Sequence, residues 1–132
     1  MTIRIYNARI GDENFRFICS FKNYHDGFGH NVSLECNGTF LAKGHARYWN
    51  RTWERYAFQT CMYASLNNWE DAVLHECKTA YKNLVGKKRV SDANVDYMKY
   101  KHDYYGEELS KIAELKKILE NENSMSVDYV RY

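Results

Sequence analysis

The sequence predicts an α+β fold: an antiparallel sheet of three to five strands, mostly N-terminal, packed by about four helices. Three observations carry this. Residues 15–48 alternate apolar and polar side chains with a period of two. Beyond Asn50 the apolar residues recur every three or four positions, as on one face of a helix. No proline, repeat, linker or low-complexity run divides the 132 residues. Residues 1–132 therefore read as a single domain around one core.

The strands come first. Ile3, Ile5 and Tyr6 give a short opening strand. Phe15, Phe17, Cys19 and Phe21 alternate with Arg16, Ile18, Ser20 and Lys22, so one face is strongly apolar. Asp26-Gly27 marks a turn within the loop of residues 23–29. Val32, Leu34 and Cys36 then alternate with Ser33 and Glu35. Asn37-Gly38 is the strongest hairpin signal in the chain, because both central positions of a I′ turn need positive φ. The strand it opens, Thr39 to Lys43, continues past Gly44 toward Tyr48. Residues 15–48 thus form a meander.

Four helical segments are expected. Asn50 serves as N-cap for residues 51–66, with Trp53, Ala57, Cys61 and Ala64 on one face. Asn67-Asn68 breaks that run. A second helix follows, with Glu70 and Asp71 in its first turn, as the helix dipole favours. Its buried stripe is Trp69, Val73, Cys77, Ala80 and Leu84, with Leu74 and Tyr81 alongside. It ends near Gly86. A short third helix spans Ser91 or Asp92 to Tyr100. The last begins near Gly106 and buries Leu109, Ile112, Leu115 and Leu119. Ser126 to Tyr132 alternates again, as a terminal strand or a tail.

Composition narrows the function. The net charge of +2 names no partner. Residues 1–60 hold 8 basic and 5 acidic groups, residues 91–132 hold 6 and 9, so the two ends differ mildly in sign. No apolar run reaches a membrane span and no signal peptide opens the chain, which points to the cytoplasm. There the four cysteines, Cys19, Cys36, Cys61 and Cys77, are expected as free thiols.

No catalytic constellation is visible. There is no nucleophile elbow, catalytic-cysteine signature or phosphate-binding loop, and Gly27-Phe28-Gly29 is too short for one. His25, His30, Cys36 and His45 fall within 21 residues but lack the close pairing of zinc ligands. No catalytic residue, metal or cofactor is assigned, and the chain is not expected to be an enzyme.

Binding is the better-supported class. Residues 46–56 hold two Trp, two Tyr and three Arg, the types that dominate interface hot spots. Arg47, Tyr48, Trp49, Arg51 and Arg55 are the candidates there. Lys87, Lys88 and Arg89 form a second basic cluster. Tyr97, Tyr100, Tyr104 and Tyr105 form a third group, too many tyrosines for one helix face to bury.

The segment Tyr48-x-Asn50-Arg51-Thr52-Trp53-Glu54-x-Tyr56-x-Phe58-Gln59 resembles a stretch in small uncharacterised proteins of bacteriophages and mobile elements, mostly of Gram-positive bacteria. The resemblance covers residues 45–66 and brings no catalytic residues with it. It implies a phage setting inside a bacterial host, where small Tyr-rich domains often inhibit host defence, as anti-CRISPR proteins do. The expected function is non-catalytic binding and inhibition of a host protein or protein–nucleic-acid complex, such as a nuclease effector. A small regulator that binds DNA or RNA directly is the second reading. A metal-dependent nuclease using the histidines is the third.

Overall fold

The computed structural model describes residues 2–24, 27–48, 54–85, 90–121 and 125–131, with side chains over 3–21, 29–46, 58–84, 97–121 and 125–130. Four strands run in succession: β1 (Thr2–Ile10), β2 (Glu13–Tyr24), β3 (Gly27–Cys36) and β4 (Thr39–Tyr48). Two long helices follow, α1 (Glu54–Val85) and α2 (Val90–Glu120), and then a last strand, β5 (Ser126–Arg131). All five strands form one antiparallel sheet in the order β4-β3-β2-β1-β5. The α+β class and the antiparallel sheet are as the sequence predicts.

Turn chemistry explains the hairpins. Asn37 and Gly38 have φ of 50° and 85°, as a I′ turn requires. The Asn37 side chain accepts from the Asn14 backbone N–H at 2.9 Å and so ties this turn to β2. Gly11, at φ 59°, opens the β1–β2 turn. The β3–β4 register shifts between Leu34 and Glu35, which leaves Leu41 as an extra residue.

The predicted count of about four helices is corrected to two among the described residues. Asn67-Asn68 does not end α1. Asn costs a helix interior about 0.6 kcal/mol relative to Ala. Leu66 and Trp69 on either side of the pair are buried, and each such side chain contributes about 2 kcal/mol. Burial therefore overrides local preference. Asn68 also donates from Nδ2 to the Lys43 carbonyl at 2.7 Å. Gly106 likewise lies inside α2 rather than starting a helix. The terminal strand forms, as β5.

One face of the sheet is covered. Phe15, Phe17, Cys19, Val32 and Leu34 pack against Phe58, Cys61, Met62, Leu66, Trp69 and Val73 of α1, and Ile112, Leu115 and Leu119 of α2 complete the core. The α2 stripe is the predicted one except that Leu109 stands at its edge. Cys61 is buried as expected, whereas Trp53 and Ala57 lie outside the described side chains. α1 approaches β4 so closely that a Cβ at Gly44 would overlap the Cys61 carbonyl and stand 2.7 Å from the Ser65 nitrogen.

The helices pair antiparallel. Gln59 Nε2 donates to the Leu119 carbonyl at 3.2 Å, and the Tyr63 hydroxyl to that of Lys116 at 3.3 Å. At 32 and 31 residues, they are about 48 and 46 Å long. A ten-residue strand reaches only about 33 Å. The hairpin of helices accordingly outruns the sheet. Trp69 meets Phe15 beside the β1–β2 turn, with ring centroids 6.1 Å apart, and beyond it α1 and the first half of α2 form an arm.

Candidate interaction surface

The arm has a core of its own. Cys77 and Tyr81 are buried but do not belong to the main cluster. Tyr81 meets Tyr97 at 5.3 Å and Tyr100 at 5.5 Å between ring centroids. Tyr100 in turn meets Tyr104 at 4.6 Å and Tyr105 at 6.1 Å. These tilted and edge-on geometries are the favoured ones for aromatic pairs, worth about 0.5–1.5 kcal/mol each beyond area burial. Burial raises the Tyr97 hydroxyl above its ordinary pKa, and the neighbouring Cys77 thiol adds to the shift. The arm is thus held together by tyrosines where the main core uses Phe, Leu and Ile.

What the arm leaves outside follows from its thinness. Two helices can shelter only the seam between them. Tyr104 is 72% exposed, Met98 61% and Leu84 70%. The exposure of Leu84 corrects the buried stripe that the sequence predicts: it lies on the outer side of the helical pair. Tyr97, Tyr100 and Tyr105 are half-buried. The predicted tyrosine group is therefore brought together, with Tyr104 as its most open member.

The other predicted groups are placed less fully. Arg47 and Tyr48 close β4, opposite Gly29 and Phe28 in register. Their side chains, and that of Arg55 in α1, lie outside the described residues, as do Trp49, Arg51, Lys87, Lys88 and Arg89 entirely. The sequence's histidines do not converge where they are described. His30 is buried against Phe21 and Phe58 on the helix side, while the next residue, Asn31, bonds His45 Nδ1 at 2.7 Å on the open side. His25 lies outside the described residues. No group of three metal-binding side chains occurs among the described residues. All four cysteines are free, three of them buried and Cys36 half-buried.

Sequence reasoning missed the base of the arm. There Lys111 of α2 pairs with Glu13 of β2 and with Glu107 at 3.5 Å. The Cys36 thiol donates to the other Glu13 oxygen at 3.0 Å. Lys111 first, and then Cys36, holds the Glu13 carboxyl below the usual carboxylate range. Burial, with Glu13 beside it, pushes the Cys36 thiol up to about 11. A cavity of about 190 Å³ opens here, lined by Phe15, Leu41, Trp69 and Glu108 besides these three. The thiol is protonated and occupied as a donor, which makes it a poor nucleophile. No signal in the sequence links Glu13 to Lys111, 98 positions away.

No helix among the described residues is long and apolar enough to cross a membrane. No family model, curated protein or solved structure matches the chain.

Proposed function

We propose that the protein is a non-catalytic binding protein that uses its tyrosine-packed arm to hold a host protein or nucleoprotein. The observation that carries this is the arm itself: a tyrosine-packed helical hairpin beyond the sheet, with Tyr104 and Met98 open to solvent. Tyr offers large, stiff contact area at low entropic cost, and Met adapts to irregular surfaces. The phage-like Tyr48–Gln59 segment supports a host-directed role, with inhibition by occluding a groove of a defence nuclease as its specific form. Affinity capture from a bacterial lysate tests it. The native chain should recover a discrete partner, and Tyr104→Ala with Met98→Ala should lose it. Equal recovery by both would remove the arm from the function.

The second reading is direct binding of DNA or RNA, favoured by the arginines at 47, 51 and 55 and by the Lys87-Lys88-Arg89 run. It requires affinity that falls steeply with salt, and a slope that flattens when those arginines are replaced. A chain that shifts neither duplex nor single-stranded probes at low salt has no such activity.

A further inference from the structure

Arg4 stands apart from the arm. It lies on the helix-covered side of β1, opposite Cys19 of β2 and Tyr129 of the edge strand β5. Its guanidinium carbon is 5.1 Å from the Phe58 ring centroid and 5.8 Å from that of Tyr129. Burial raises the Tyr6 hydroxyl above its ordinary pKa, and the nearby Arg4 charge offsets part of that rise. Among the described residues no carboxylate comes within ion-pair distance of it. Arg4 is therefore a positioned cation without a described counter-charge.

Its surroundings limit what can approach. Rings beside the guanidinium favour contact through the in-plane N–H fork, which matches the two oxygens of a carboxylate. β5 is an edge strand that makes almost no contact with either helix, and Tyr129 is 66% exposed. An extended chain can reach this edge. Toward the β1–β2 turn the same side continues through Tyr6, Ala8 and Val127, which carry no charge, and at the other end Arg131, opposite Thr2, is its one further charged register position in β1 and β5. One fixed cation balances one carboxylate, whereas a nucleic-acid strand carries a charge at every phosphate and calls for a row of cations.

We propose that Arg4, Tyr6 and Tyr129 form a shelf that binds an acidic side chain of an extended peptide, with an apolar neighbour of that side chain lying on the Tyr129 ring. This site does not depend on the arm.

The test follows the Arg4 Nε–Hε resonance of the intact chain during titration with three probes: a capped Gly-Glu-Phe-Gly peptide, its Gly-Gln-Phe-Gly counterpart, and inorganic phosphate. The Glu peptide should give a saturable shift, and the Gln peptide should bind about tenfold more weakly. Arg4→Lys keeps the charge but loses the fork, and should cost about tenfold in affinity, read in this variant from the Tyr129 backbone amide resonance. Tyr129→Ala, at an exposed position, should weaken binding several-fold and keeps the comparison readable if Arg4→Lys fails to fold. Equal binding of the Glu and Gln peptides overturns the proposal, as does the absence of a saturable shift. Phosphate binding more tightly than the Glu peptide overturns it in favour of a phosphate site.

Discussion

Gly44 and Cys61 meet backbone to backbone: β4 and α1 come so near that no side chain fits between them. This is the closest docking of helix on sheet that the glycines record, and the Cys61 thiol completes it by donating to the His30 carbonyl at 3.2 Å. The hydrophobic residues around it pack at the depth this contact sets.

Two glycines should therefore respond oppositely to alanine. Gly44→Ala forces α1 away from β4 and should cost about 3 kcal/mol, at the upper end of overpacking effects. Gly106→Ala adds a methyl whose nearest neighbour is His102 Cδ2 at 4.0 Å. It should stabilise by about 0.5–1 kcal/mol through helix propensity. Urea unfolding of the two variants measures both, and a stabilised Gly44→Ala would contradict the close approach.

The arm should loosen on its own. Tyr81 bridges Tyr97 and Tyr100, and Tyr81→Ala removes both contacts. The expected loss is about 3 kcal/mol, typical for a buried aromatic. It should appear as faster amide exchange in residues 77–84 and 97–105, while residues 58–69 keep their protection. Uniform loss of protection would mean that arm and sheet are one cooperative unit. Tyr104→Ala, in contrast, should change stability by no more than about 0.5 kcal/mol.

Acid should act through Glu13. Its carboxyl is held below the usual range by Lys111 and then by Cys36. A lowered folded-state pKa adds stability that is present above the ordinary value of 4.5 and lost as pH falls through the lower one. Lys111 is raised above 10.5 by Glu13, so its share persists through neutral pH and disappears only as pH rises through the raised value. Glu13→Gln should be less stable than the native chain at pH 7. The difference should vanish in strong acid. Chemical denaturation at pH 7 and pH 3 checks this, and a gap that widens in acid would refute it.

Thiol labelling should follow burial. Burial raises the Cys61 pKa to about 11 and that of Cys19 higher still. At pH 8 both are protonated and enclosed, so they should react only at the rate of unfolding. Cys36, half-buried, should label first. Mass spectrometry of partly labelled protein gives the order. The raised Cys61 pKa also implies stability that declines as pH climbs from 9 toward 11, because the unfolded chain ionises first.

The strands were legible because each carries its own pattern. Phe15, Phe17 and Cys19 point to the core wherever β2 pairs, and Asn37-Gly38 names its turn. The helices were legible as faces but not as lengths. Asn67-Asn68 and Gly106 are local signals worth less than about 1 kcal/mol each, and contacts from distant residues outweigh them. The tyrosine group was legible as a surplus of aromatics in residues 97–105. Its partner Tyr81 is not legible, since the sequence pattern sets it beside the stripe of a different helix. The Glu13–Lys111 pair and the Arg4–Tyr129 shelf join opposite ends of the sequence, and no window along the chain contains them.

β5 enters the sheet beside β1, so Thr2 lies opposite Arg131 with both helices between them in sequence. The first four strands can zip through short turns, but this last pairing must close a loop of more than a hundred residues. During synthesis β1 waits, with one edge open, until both helices have left the ribosome. The edge that Arg4 and Tyr129 later share is therefore the final piece of the sheet to form and the most exposed to a competing strand.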